Sequence, residues 1–100
     1  MTYKLIFKDG VEKDLSKLSA HQEMIVFRQF IKIQNSPQLG TPLGNRAGYN
    51  LNGCKKIYVD KKKIRIVYRV IDDKIIVEVI AVGKRDDIKV YAEANKRLNY

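Results

Sequence analysis

The sequence predicts a small α+β domain of order β-α-α-β-β-β-α, in which an antiparallel sheet packs against an N-terminal helical hairpin and receives a C-terminal helix. Three observations carry this. Apolar residues recur at helical spacing between Val11 and Ile33, β-rich runs separated by charged turns fill residues 55 to 83, and helical spacing returns beyond Gly83. A chain of 100 residues buries about 60 to 70% of the surface that its unfolded form exposes, enough for one core and one domain, residues 1 to 100.

Taken in order, residues 2 to 8 (TYKLIFK) mix apolar and polar positions in a run of β-formers and predict a first strand, broken by Asp9-Gly10. Asp9 followed by Glu12 fits a helix start, and Val11, Leu15 and Leu18 form a stripe for a short helix to about Leu18. Ser19 with Gln22 is a capping-box pattern. It opens a second helix to about Gln34, whose broad apolar face comprises Met24, Val26, Phe27, Phe30, Ile31 and Ile33. So little chain joins the two helices that they form an antiparallel hairpin laid on a sheet.

Residues 35 to 53 contain both prolines and four of the six glycines with little periodicity, which predicts one long loop. Three β-rich runs follow, at about 55 to 60, 64 to 71 and 75 to 83, divided by KKK and DDK turns into a meander. The last segment, DDIKVYAEANKRL, has acids at its start, Lys96 and Arg97 near its end, and Ile88, Val90, Tyr91, Ala94 and Leu98 at helical spacing.

Strand register decides which side chains share a face. With Asp72 and Asp73 at the tip of the second hairpin, Ile71 pairs with Lys74, and the pairs Val70/Ile75, Tyr68/Val77, Ile66/Val79 and Ile64/Ala81 form the apolar face under the helices. Arg65, Val67, Arg69, Ile76, Glu78 and Ile80 take the other face. A turn over Asp60 to Lys63 sets Val59 opposite Ile64 and Tyr58 opposite Arg65, so Lys56 and Tyr58 join Arg65 on that second face. Arg85, just past the end of the third run, completes a cluster of Lys56, Tyr58, Arg65 and Arg85.

The charge balance points the same way. The chain carries 20 Lys and Arg against 11 Asp and Glu, a net charge of +9, and Lys55 to Arg69 alone holds seven basic residues and one acid, Asp60. A patch of this kind attracts phosphate backbones by counterion release, or an acidic protein segment. No apolar run approaches the roughly 18 residues of a membrane span, the first residues lack a signal-peptide pattern, and the single Cys54 has no disulfide partner. A cytoplasmic protein is expected.

Several chemistries are poorly supplied. His21, the single histidine, lies near a helix start and reads as a surface residue, and one Cys and one His show no metal-ligand spacing. Asp72-Asp73 and Asp86-Asp87 read as a turn and a helix start. No glycine-rich loop stands between a strand and a helix as a nucleotide cofactor requires. No metal and no small-molecule cofactor are expected.

A cluster of Lys, Arg and Tyr on a basic surface does suit RNA cleavage by the substrate's own 2′-hydroxyl. The protein then has to hold the strand in line, neutralise the phosphorane oxygens and move protons. Guanidinium forks match phosphate oxygens. An amine crowded by other cations gives up its proton more readily and becomes available as a base. A phosphate-binding patch without chemistry uses the same residue types.

The run RIVYRVIDDKIIVEVIAVGKRDDIKVYAEANKRL, preceded by KKIYV, resembles the RelE toxins of the RelE/ParE superfamily, the toxin halves of bacterial type II toxin-antitoxin modules. The likeness is close over residues 43 to 98, through the LG element, the Tyr68 strand, VGKR at 82 to 85 and VY at 90 to 91; the helical hairpin agrees in pattern. It implies a microbial-ribonuclease-like fold, metal-independent endoribonuclease activity on mRNA in the ribosomal A site, and a cognate antitoxin as inhibitor. Ribosome and mRNA would be the other partners, with no membrane involved.

By the same resemblance the catalytic set falls on Lys56, Arg65, Arg85 and Tyr91. Arg85 would be general acid or transition-state clamp, Arg65 would bind the scissile phosphate, and Tyr91 would stack on or orient a base. By helical spacing alone, beside Ile88 and Leu98, Tyr91 reads rather as core. Tyr58, Lys61, Lys62, Lys63 and Lys84 are the expected RNA-binding residues. One departure matters: where the best known members carry a second lysine two residues after the first, this chain has Tyr58. The general base is therefore open between Lys56 alone, Tyr58 orienting the water or hydroxyl, and the lysines of the 61 to 63 turn reaching in. A noncatalytic ParE-like inhibitor of DNA gyrase is the alternative within the superfamily, and a plain RNA-binding module lies outside it.

Overall fold

Alternation of short apolar runs with helical stripes produces the expected α+β architecture, seen in a computed structural model that describes residues 2–46, 48–84 and 89–99. The elements are β1 (Lys4–Phe7), α1 (Val11–Ser16), α2 (Ala20–Asn35), a 3-10 turn at Pro37–Leu39, β2 (Thr41–Arg46), β3 (Tyr49–Val59), β4 (Ile64–Ile71), a second 3-10 turn at Asp72–Lys74, β5 (Ile76–Lys84) and α3 (Lys89–Leu98). The strands form one sheet of order β1-β5-β4-β3-β2.

The helical hairpin forms as its residues dictate. Ser19 accepts a hydrogen bond from the Gln22 amide while the Gln22 side chain accepts from the Ser19 amide, so the predicted capping box starts α2. The start of α1 differs from expectation. Its cap is Gly10 at φ 102° with no side-chain cap, because the left-handed turn out of β1 excludes Asp9 from that role. Val26, Phe30 and Ile33 of α2 bury against Ile64, Ile66, Tyr68, Val77 and Val79 on one face of the sheet.

Two expectations about the sheet are corrected. Residues 35 to 53 are not one loop: they supply a 3-10 turn, all of β2 and the first part of β3. The hairpin was hard to read because β2 is an edge strand, mostly solvent-exposed, where Pro42 is tolerated and only Leu43 is buried. Its glycines serve backbone geometry, with Gly44 at φ 62° beside a register shift and Gly48 at φ 83° in the turn. The sheet is also mixed and not wholly antiparallel. β5 slots between β4 and β1 and runs parallel to β1, pairing Lys4 with Ile76 through Phe7 with Val79.

Register in the first hairpin is as predicted, with Val59 opposite Ile64 and Tyr58 opposite Arg65. In the second, Ile71 pairs with Ile76 and Val70 with Val77, two residues away from expectation, because the 3-10 turn takes up Asp72, Asp73 and Lys74. A slip of two preserves faces. A further irregularity between Val67 and Tyr68 then turns Ala81, expected under the helical hairpin, to the opposite face and brings Val82 in its place.

That opposite face is covered too. Val90, Tyr91 and Ala94 of α3 pack on Leu43, Leu51, Cys54, Val67, Ile80 and Ala81. The approach is close enough that a Cβ on Gly83 would lie 2.3 Å from a Val90 methyl. Arg97 clamps the helix in place: its guanidinium donates to both Asp14 carboxylate oxygens at 2.7 and 3.0 Å and to the Ile80 carbonyl at 2.8 Å. Asp14 also accepts from the Val82 amide, so one ion pair joins α1, β5 and α3.

Candidate active site

Period-two alternation along β3 sends Lys56 and Tyr58 to the same face, and antiparallel pairing sets Arg65 of β4 opposite Tyr58. The Lys56 ammonium donates to the Tyr58 hydroxyl at 3.0 Å and stands 4.8 Å from the ring centroid. The Arg65 guanidinium carbon lies 5.6 Å from the Tyr58 centroid and 4.3 Å from that of Tyr91 on α3. It is thus held between two aromatic faces, which attract it electrostatically and restrict its rotamers.

Burial completes the geometry. Arg65 is 7% exposed and Tyr91 8%, while Lys56 and Tyr58 are half-buried at the rim. Tyr91 lies in the core, as helical spacing reads it: its ring belongs to the apolar cluster under α3, and its face also carries Arg65. Glu78, an acid on the same sheet face, is engaged by Arg69 at 2.5 Å.

The two cations act on the Tyr58 phenol. The hydrogen bond from Lys56 is the chief cause that lowers its pKa to about 8; partial desolvation opposes this, and hydrogen bonding and charge from Arg65 add to it. Tyr68, on the other face, shows the reverse. Burial pushes its phenol up, and it stays a structural hydroxyl, donating to the Pro37 carbonyl and accepting from the Gly40 amide. Burial likewise raises the Cys54 thiol, which leaves it inert.

Lys61, Lys62 and Lys63 project into solvent from the β3–β4 turn. The backbone there is unusual, with Asp60, Lys61 and Lys62 all at positive φ (53°, 55° and 67°). Across from this turn, Arg28 and Lys32 of α2 complete a groove of about 410 Å3 that Tyr58 also lines. Sequence reading missed those two, although their spacing of four places them on one helix face. Lys84 closes β5 opposite Ile64 and, with Lys13, Lys17 and Lys89, lines a cleft of about 440 Å3 between α1, β5 and α3. Arg85, Asp86, Asp87 and Ile88 lie outside the described residues. Among the described residues no group of three or more His, Cys, Asp or Glu side chains is placed to hold a metal ion, and no helix is long and apolar enough to cross a membrane.

The family model for the ParE toxin of the type II toxin-antitoxin system matches residues 5–89. Over 98% of its length the chain is 34% identical to the mRNA interferase toxin RelE of Escherichia coli, covering 99% of that protein. The chain belongs to the RelE/ParE toxin family. Its fold is that of the family's RelE members: an E. coli RelE with two arginines substituted, in the free state, superposes with a TM-score of 0.79 at 32% identity, covering 98% of this chain and 99% of the other. The same toxin in complex with a peptide of the antitoxin RelB gives a TM-score of 0.70 at 32% identity, covering 97% and 98%. Within this RelE/ParE fold, the strand pairing predicted from sequence brings Lys56, Tyr58 and Arg65 together, and α3 adds Tyr91.

Proposed function

We propose that this chain is the toxin of a type II toxin-antitoxin module and a ribosome-dependent endoribonuclease that cleaves mRNA in the ribosomal A site, in the cytoplasm. The observation that carries the reading is the Lys56, Tyr58, Arg65 and Tyr91 cluster on one sheet face, in a chain similar over nearly its whole length to a toxin named an mRNA interferase. Arg65, clamped by two rings, is preorganised to bind the scissile phosphate and neutralise the charge developing on it. Tyr91 supports that arginine, and by the resemblance it would stack on or orient a base. Arg85 enters on sequence alone, as general acid or transition-state clamp. Lys61, Lys62, Lys63 and Lys84, with Arg28 and Lys32, supply the field that draws the RNA in.

A cognate antitoxin is the expected partner. Its acidic or amphipathic segment would cover the cationic face, displace α3, or both; a complex that leaves Lys56, Arg85 and the rim over the buried Arg65 uncovered would count against this.

Primer extension on a defined mRNA in a translating extract, with and without ribosomes, tests the reading. Cuts at A-site codons that require ribosomes and vanish with Arg85→Ala are the expected result. A second reading draws on the ParE description of the matching family model: a noncatalytic block of DNA gyrase. DNA breaks and an SOS response with intact mRNA would establish it instead.

A further inference from the structure

We propose that Tyr58 is the general base of strand cleavage, its phenolic oxygen taking the proton of the attacking 2′-hydroxyl, with Lys56 serving as the cation that stabilises the ionised tyrosine. This rests on the mRNA-cleaving reading above and deepens it. The geometry assigns the two roles. The Lys56 ammonium lies 3.0 Å from the Tyr58 oxygen and donates to it, a cation in place to stabilise that oxygen when it is ionised. Arg65 approaches the same phenol from β4 and also reaches into the buried site, so a phosphate bound by Arg65 lies beside an oxygen already flanked by two positive charges.

Cations outnumber acids around Tyr58. Lys56 neighbours it on β3, Arg65 on β4, Arg28 and Lys32 line its groove from α2, and Lys61 and Lys62 close the groove from the turn. Asp60 is the acid in that groove, and it accepts a hydrogen bond from Gln22. Tyr91 stands behind Arg65. Such a field favours the phenolate, in line with the lowering to about 8. Relative to an ordinary tyrosine near 10, the ionised fraction at neutral pH rises about a hundredfold. A base needs its pKa near working pH, and the amine of a second lysine is not required once this phenol is available.

The step balances as follows. Tyr58, ionised, accepts the 2′-hydroxyl proton. The 2′ oxygen forms a bond to phosphorus, the bond from phosphorus to the 5′ oxygen breaks, and that oxygen leaves with a proton from the general acid, Arg85 in the proposed set. The products are a 2′,3′-cyclic phosphate and a 5′-hydroxyl; Tyr58 returns its proton to solvent, and the general acid takes one back from it.

The test is single-turnover cleavage of a defined mRNA on programmed ribosomes, followed from below neutrality to about pH 10. For the native chain the rate is expected to climb with pH and level near about 8. Tyr58→Phe should slow it about 10² to 10⁴-fold, remove the climb and leave the half-saturating toxin concentration unchanged. Ring-fluorinated tyrosine at position 58 should move the climb down by its own acidity difference, and Lys56→Met should move it up toward 10. An ultraviolet titration of the free protein, native minus Tyr58→Phe, should show one tyrosine ionising near the same pH. If Tyr58→Phe keeps both rate and climb, or fluorination leaves the climb unmoved, the base is another group and only this assignment falls. If the native chain leaves mRNA intact, the cleavage reading falls, and the base role with it.

Discussion

The Arg65 guanidinium carbon lies 4.3 Å from the centroid of the Tyr91 ring, so the β4 cation proposed to bind phosphate is positioned by a core residue of α3. Helix docking and site assembly are thereby one event. Tyr91→Phe keeps the ring and should leave stability and cleavage near native. Tyr91→Ala removes it, and should lower stability by about 3 to 5 kcal/mol, as truncating a buried aromatic residue does. It should also lose the fixed geometry of Arg65. Urea unfolding and single-turnover cleavage on both variants check this; equal losses for Phe and Ala would assign the effect to the hydroxyl.

The Arg97 to Asp14 ion pair should be the chief polar tether of α3. Its side chains are only 12% and 13% exposed. Removing one partner strands the other, so Arg97→Ala or Asp14→Ala alone should destabilise by about 3 to 5 kcal/mol. Replacing both with apolar residues, Arg97→Met with Asp14→Leu, should recover much of that loss. Urea midpoints of the two singles and the double settle it, and α3 amide exchange should quicken in the singles.

How far the sequence revealed this molecule depends on where its signals are strong. The α2 helix and the β3–β4 hairpin were legible because a capping box and alternating apolar residues fix them locally, and that hairpin alone places Tyr58 against Arg65. The β2 strand was hidden, since an edge strand with one buried residue has almost no apolar period to read. Parallel pairing of β1 with β5 is a relation between residues some 70 positions apart, and no local pattern carries it. Nor could spacing say that the face bearing Arg65 would be roofed by α3, which turned an expected surface arginine into a buried one. Arg28 and Lys32 lie off the apolar stripe that marks α2, so the pattern that identifies the helix carries no sign of them.

Gly83 should prove intolerant of any side chain, since a Cβ there meets the stiff Val90 side chain at 2.3 Å. Gly83→Ala should destabilise by about 1 to 3 kcal/mol through overpacking and loosen α3. Adding Val90→Ala removes the obstructing methyls and should restore part of the loss, so the two changes should be non-additive. Thermal unfolding of the singles and the double measures the coupling; strict additivity would mean that α3 does not rest on Gly83.

The turn between β3 and β4 sets stability against charge. Lys61 and Lys62 both occupy left-handed backbone, a conformation that disfavours side chains by roughly 1 to 2 kcal/mol per residue and that Asn-Gly adopts readily in two-residue hairpins. Local propensity alone would not choose lysines here; what they supply is the cationic rim beside Tyr58, which the proposed function uses to hold RNA. Lys61→Asn with Lys62→Gly should therefore raise the urea midpoint, by about 1 to 2 kcal/mol in stability, while weakening RNA and ribosome binding. Every phosphate that the variant no longer neutralises should also reduce the slope of log affinity against log salt by about 1. Stabilisation together with a shallower salt slope is the expected pair of results. A variant that is more stable yet binds with the native slope would show that these lysines do not touch RNA.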